Sequence, residues 1–142
     1  MTSWTKYHNG TWSEPGWKGA ATLLLPGTDT HSDIHYNRAL GKYLFVGNRT
    51  ARQSPTKRSE IVLYESTDGL VWSNERVVAS TGSPGESLFY SWFAGAGSED
   101  GYEIDGNFSL YWMQRGGGDI KNGRLLRREI TIVSDAPSAT VK

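Results

Sequence analysis

The chain has 142 residues, the length of one ordinary domain, and its 15 Lys+Arg balance 15 Asp+Glu to a formal net charge of zero. That balance removes the electrostatic case for nucleic acid or an anionic membrane surface, both of which favour a basic excess, and no apolar run approaches the ~20 residues that span a bilayer. With no Cys there is no disulfide, no thiolate chemistry and no Cys-ligated zinc.

The 17 Gly, six Trp, seven Tyr and four Phe are interleaved at short spacing, which predicts an all-β domain of short strands and tight turns. No stretch of about ten residues carries the i, i+3, i+4, i+7 apolar spacing of a helix. The N-terminus, "MTSWTKYHNG", lacks the apolar segment of a secretory leader. Strands are expected near 3–8, 20–25, 32–38, 42–49, 59–66, 71–79, 87–94, 107–114 and 124–133. "ALGK" (39–42), "TDGL" (67–70) and "IDGN" (104–107) supply turns between them. "RTARQSPTKRS" (49–59) is a polar basic loop, "RGGGDIKNG" (115–123) a glycine-rich one, and "SDAPSATVK" (134–142) a frayed tail.

The segment "HSDIHYN" is the most unusual of these strands. Alternate residues of a strand share a face. His31, Asp33, His35 and Asn37 would therefore line one face at intervals of about 7 Å. On the strand near 87–94, Glu86, Leu88, Tyr90 and Trp92 alternate with Ser87, Phe89, Ser91 and Phe93.

An internal repeat links the two regions. "GKYLFVGNR" (41–49) matches "GNFSLYWMQR" (106–115): Gly, an aromatic two residues on, an apolar centre and a closing Arg. Each follows a strand rich in polar and aromatic residues and precedes an amphipathic one, "SEIVLYES" (59–66) or "GRLLRREITI" (123–132). A second echo joins "NGTWS" (9–13) to "DGLVWS" (68–73). Repeats of about four short strands indicate propeller blades more than a sandwich.

"STDGLVW" (66–72) resembles the Asp-box, a Ser-x-Asp-x-Gly-x-x-Trp type hairpin of glycosidase propellers, with one residue fewer between Asp and Gly. Its role there is structural: Asp caps turn amides, Gly supplies the tight backbone, and Trp plugs the blade. The same plug role is expected of Trp12. The order of "YHNGTWSEPGWKG", "HSDIHYNRALGKYLFVG", "IVLYESTDGLVWS" and "FYSWFAGAG…FSLYWMQR…LLRREITI" is similar to five-bladed β-propeller glycoside hydrolases of the arabinanase/xylosidase-like type. At some 250–300 residues for five four-stranded blades, the chain resembles about their C-terminal half.

The resemblance implies a single all-β domain, a partial β-propeller of about two four-stranded antiparallel blades. Residues 1–30 would be a partial blade or clasp, 31–80 the first blade, 85–134 the second, and 135–142 a tail. It implies carbohydrate binding, or glycoside hydrolysis completed by oligomerisation. Asp33 and Glu86 would be the catalytic pair, since glycoside hydrolysis needs two carboxylates flanking the bond. His31, His35, Asn37, Tyr90 and Trp92 would bind the substrate. The alternative is a non-catalytic assembly protein that kept the blades and lost the chemistry. The polar face at 31–37 also admits a structural hydrogen-bonding role, and His31, Asp33 and His35 have a spacing known among metal ligands; no metal or other cofactor is expected. Unpaired strand edges and apolar flanks (Leu63, Phe89, Leu110, Ile130) imply self-association as a homodimer or higher closed oligomer, with a glycan as possible ligand.

Overall fold

A computed structural model describes residues 4–25, 27–28, 31–83, 85–95, 101–116 and 122–133. The tail 134–142 and most of the glycine-rich loop 115–123 lie outside them. The described chain is all-β, with no α-helix. Its strands are β1 (Thr5–His8), β2 (Thr11–Pro15), β3 (Asp33–Asn37), β4 (Lys42–Arg49), β5 (Glu60–Ser66), β6 (Ser73–Ser80), β7 (Ser87–Ala94), β8 (Glu103–Ile104), β9 (Asn107–Arg115) and β10 (Arg124–Thr131).

Three sheets result. β1 and β2 form a hairpin closed by Asn9 and Gly10, both at positive φ, as a two-residue primed turn requires. β3 to β6 run as an antiparallel meander, and β8 adds a parallel pairing against Tyr36 and Asn37 to give the order β6-β5-β4-β3-β8. β7, β9 and β10 form a second meander of order β10-β9-β7.

Two local expectations fail. Residues 20–25 form no strand: Thr22 donates its amide to the Tyr7 carbonyl at 2.9 Å as an isolated bond, and Leu25 packs on Phe45, Val62 and Tyr64. Trp12 is no plug, since it lies 62% exposed on the hairpin beside Tyr7.

The two larger sheets enclose one core. Leu44 and Val46 of β4 and Ile61 and Leu63 of β5 meet Leu88 and Phe93 of β7 and Phe108, Leu110 and Trp112 of β9. The alternation of these strands accounts for it: even positions of β4 face the second sheet, odd ones face away. On that far face Phe45, Val62 and Tyr64 form a smaller cluster covered by Leu25 and Trp72. Gly47 belongs to the same face, and a Cβ there would sit 2.6 Å from the Phe45 ring, so glycine lets that ring lie across the strand.

Arg49 closes the far face. It is buried beside Glu60, and its guanidinium reaches Glu75 at 2.7 Å and the Tyr64 hydroxyl at 2.9 Å. Arg49 and the Tyr64 hydroxyl together hold the Glu75 carboxyl below its ordinary pKa.

The β5–β6 turn is a hydrogen-bonded unit. Asp68 Oδ1 accepts the amides of Leu70 and Val71, each at 2.8 Å, and the Ser66 hydroxyl at 3.0 Å. The Ser66 Oγ in turn accepts the Gly69 amide at 2.9 Å, with Gly69 at φ +74°. The backbone amides of Val71 and Leu70 draw the Asp68 pKa down. Trp72 follows and packs, partly buried, against Phe45, ring centroids 5.7 Å apart, over the far-face cluster.

Candidate functional site

β7 is an edge strand, and an open edge is normally a liability. Here side chains of the other sheet cap it. Ser59 Oγ accepts the Leu88 amide at 3.0 Å and lies 3.3 Å from the Leu88 carbonyl. Asp33 Oδ2 accepts the Phe93 amide at 2.9 Å, and the Ser91 hydroxyl donates to the His31 carbonyl. These bonds fix β7 against β3 and β5.

Between the caps, β7 is bulged. Its register with β9 shifts between Phe89 and Trp92, and Tyr90 stands at φ 51°. A bulky residue in the left-handed region is uncommon and costs roughly 1–2 kcal/mol. The bulge also breaks the alternation that the sequence predicts. Leu88, Ser91 and Phe93 turn into the core, while Trp92 turns outward to stack on Tyr111. Tyr90 is left projecting, 47% exposed, its ring 4.2 Å from that of His31 in an edge-on contact.

The projecting ring stands over a cleft of about 360 Å³ lined by His31, Asn48, Glu86, Phe89, Tyr90 and Arg115, among others. Glu86 is fastened at one oxygen, which accepts the Ser83 amide at 3.1 Å. Asn48 is almost wholly buried at the end of β4, and its Oδ1 has no hydrogen-bond partner. Arg115, the last residue of β9, lays its guanidinium 5.9 Å from the Phe89 ring centroid.

The expected site residues thus divide. His31, Glu86 and Tyr90 share the cleft. Asp33 and His35 serve the contact between sheets: His35 Nε2 donates to Asp33 Oδ2 at 3.0 Å, and the imidazole packs on Phe93. Asn37 is fully buried and ties two turns together, donating to the Asp105 carbonyl and accepting the Leu40 amide, each at 2.9 Å. Trp92 lies on the outer face of the second sheet, stacked on Tyr111. Among the described residues no group of three or more His, Asp or Glu converges as a metal site.

Asn48 and Arg115 were not singled out as site residues by sequence. Arg115 carried a signal, as the closing Arg of the repeat; Asn48 carried none, because its place in the cleft depends on β7 packing over the end of β4. Comparison with protein families, with curated proteins and with solved structures finds no match for this chain.

Proposed function

We propose that this chain is a glycan-binding protein built from propeller-type units, with the cleft under Tyr90 as its sugar site. One observation carries the reading: an exposed aromatic ring, a carboxylate and a guanidinium, those of Tyr90, Glu86 and Arg115, line a single cleft. Sugars offer apolar C–H faces for aromatic rings and hydroxyl donors for acceptors, and a small number of fixed polar groups in a partly apolar cleft is the usual form of a small-molecule site.

The reading favours binding over turnover. Asp33 accepts the Phe93 amide and the His35 N–H, and it is not among the residues lining the cleft. A hydrolytic pair with Glu86 would need a carboxylate from elsewhere, such as a second copy of the chain. Propeller descent is supported by two antiparallel meanders, β3 to β6 and β7-β9-β10, that enclose one core. The Ser66–Asp68 turn, backed by Trp72, suits the structural role of an Asp-box. Self-association draws support from β10, which pairs only with β9 among the described residues, and from Leu125 on the outer face of that sheet, 56% exposed.

That outer face also favours the second reading, a non-catalytic assembly protein. A panel of xylo-, arabino- and galacto-oligosaccharides, together with the acidic sugars D-galacturonate and D-glucuronate, titrated into the wild type and Tyr90→Ala separates the two. Binding that is lost in Tyr90→Ala supports the sugar site. Absence of binding across neutral and acidic sugars leaves the assembly reading.

A further inference from the structure

The geometry points to a carboxylate-bearing sugar, a uronate, as the ligand of the cleft, with Arg115 as the partner of its carboxylate; this rests on the glycan-binding reading above. The internal repeat supplies the argument. Arg49 and Arg115 are the closing residues of its two copies, "GKYLFVGNR" and "GNFSLYWMQR". Arg49 is saturated: Glu60, Glu75 and Tyr64 surround its guanidinium. Glu60 stands opposite Arg49 across the β4–β5 ladder, whereas β10 begins at Arg124, opposite Gln114, and brings no acidic residue beside Arg115. The second copy of the repeat therefore lacks the carboxylate that stands beside the first Arg.

Arg115 in consequence makes no ion pair among the described residues; its contact is the Phe89 ring. A guanidinium lining a concave site without a carboxylate partner is a ready fork for a planar carboxylate. Arg124 lies in an adjoining cleft that Glu86 also lines, so the cationic side of the site is extended. Glu86, with one oxygen committed to the Ser83 amide, offers the other to a hydroxyl. Tyr90 offers a face for the pyranose ring. A uronate presents a carboxylate at C6, hydroxyls around the ring and an apolar face, which is the complement of that set.

The test compares sugars that differ only at C6: D-galacturonate against D-galactose, and D-glucuronate against D-glucose, titrated into the full chain and followed by amide chemical shifts. The uronates should bind about tenfold or more tightly than their neutral counterparts. That preference should weaken at high salt, vanish in Arg115→Gln and survive in part in Arg115→Lys. Melting curves of both variants establish that they fold. Equal binding of acidic and neutral sugars, or a uronate preference that persists in Arg115→Gln, overturns the inference and leaves the glycan site standing. No shifts with any of the four sugars at millimolar concentration overturns both.

Discussion

Tyr90 and Asp33, both expected at the site from sequence, part company in the structure: Tyr90 lines the cleft and Asp33 does not. Tyr90 sits in a strand yet adopts left-handed backbone and projects its ring. Strain of this kind persists where the surroundings enforce it, and it clusters at functional sites. Tyr90→Gly should therefore leave the melting temperature unchanged or raise it, by up to about 1 kcal/mol in stability, while weakening sugar binding. A clear loss of stability would make the ring a packing residue instead. Asp33, by contrast, is a structural clip. Asp33→Ala removes the acceptor of the Phe93 amide and of His35, and chemical denaturation should show a loss of about 1–3 kcal/mol. Unaltered stability would contradict the edge-capping role. The polar, alternating character of "HSDIHYN" was legible in the sequence, as was its membership of a strand. Which of its side chains reach the cleft was not, because that depends on Ser59, Ser91 and Phe93, residues 22 or more positions away in the chain. The same holds for Trp92, since a bulge at a Tyr has no marker comparable to a Gly.

At the scale of elements, the turn of Ser66, Asp68 and Gly69 and the plug of Trp72 behave as one unit. Trp72 is partly buried against Phe45 and Tyr64, so Trp72→Ala should cost about 3 kcal/mol, the low end for such a truncation. An unchanged melt would place the ring outside the packing. Acid should find the same region first. Asp68 is held low by the Val71 and Leu70 amides, Glu75 by Arg49 and Tyr64, and Glu65 by Lys42. Each titrates lower folded than unfolded, so its contribution is fully present above the ordinary carboxylate value of 4.5 for Glu or 3.8 for Asp. It is lost as pH falls through the depressed folded values. Melting temperature should fall over that acid window, and less steeply in Asp68→Asn. A melt independent of pH there would contradict the assigned hydrogen bonds. The strands that carry dense apolar alternation, β4, β5, β7, β9 and β10, were readable nearly to their ends. The β1–β2 hairpin was half read: "HNGT" holds an Asn-Gly turn signal that sets β2 where no strand was expected. Residues 20–25 have strand-like composition but find no sheet, and composition does not say whether an edge is available.

In the whole molecule two meanders stack on one core, and the capped edge of β7 borders the cleft beside Tyr90. Three of the flank residues expected to seek a partner, Leu63, Leu110 and Ile130, are satisfied within the chain. What is left for a second copy is the far side of the second sheet and the edge of β10. Light scattering at micromolar concentration should give at least twice the 15.7 kDa chain mass, and Leu125→Glu should shift it toward the monomer. A stable monomer would confine the function to the single chain. The proposed sugar site is the cleft beneath Tyr90. Mapping amide shifts as D-galacturonate or a neutral xylo- or galacto-oligosaccharide is titrated into the full chain tests it most directly. Saturable shifts centred on His31, Asn48, Glu86, Tyr90 and Arg115 are expected, with Trp92 and the β1–β2 hairpin unaffected. Saturable shifts centred instead on the outer face around Trp92, Tyr111 and Leu125, or no shifts at all, would contradict it.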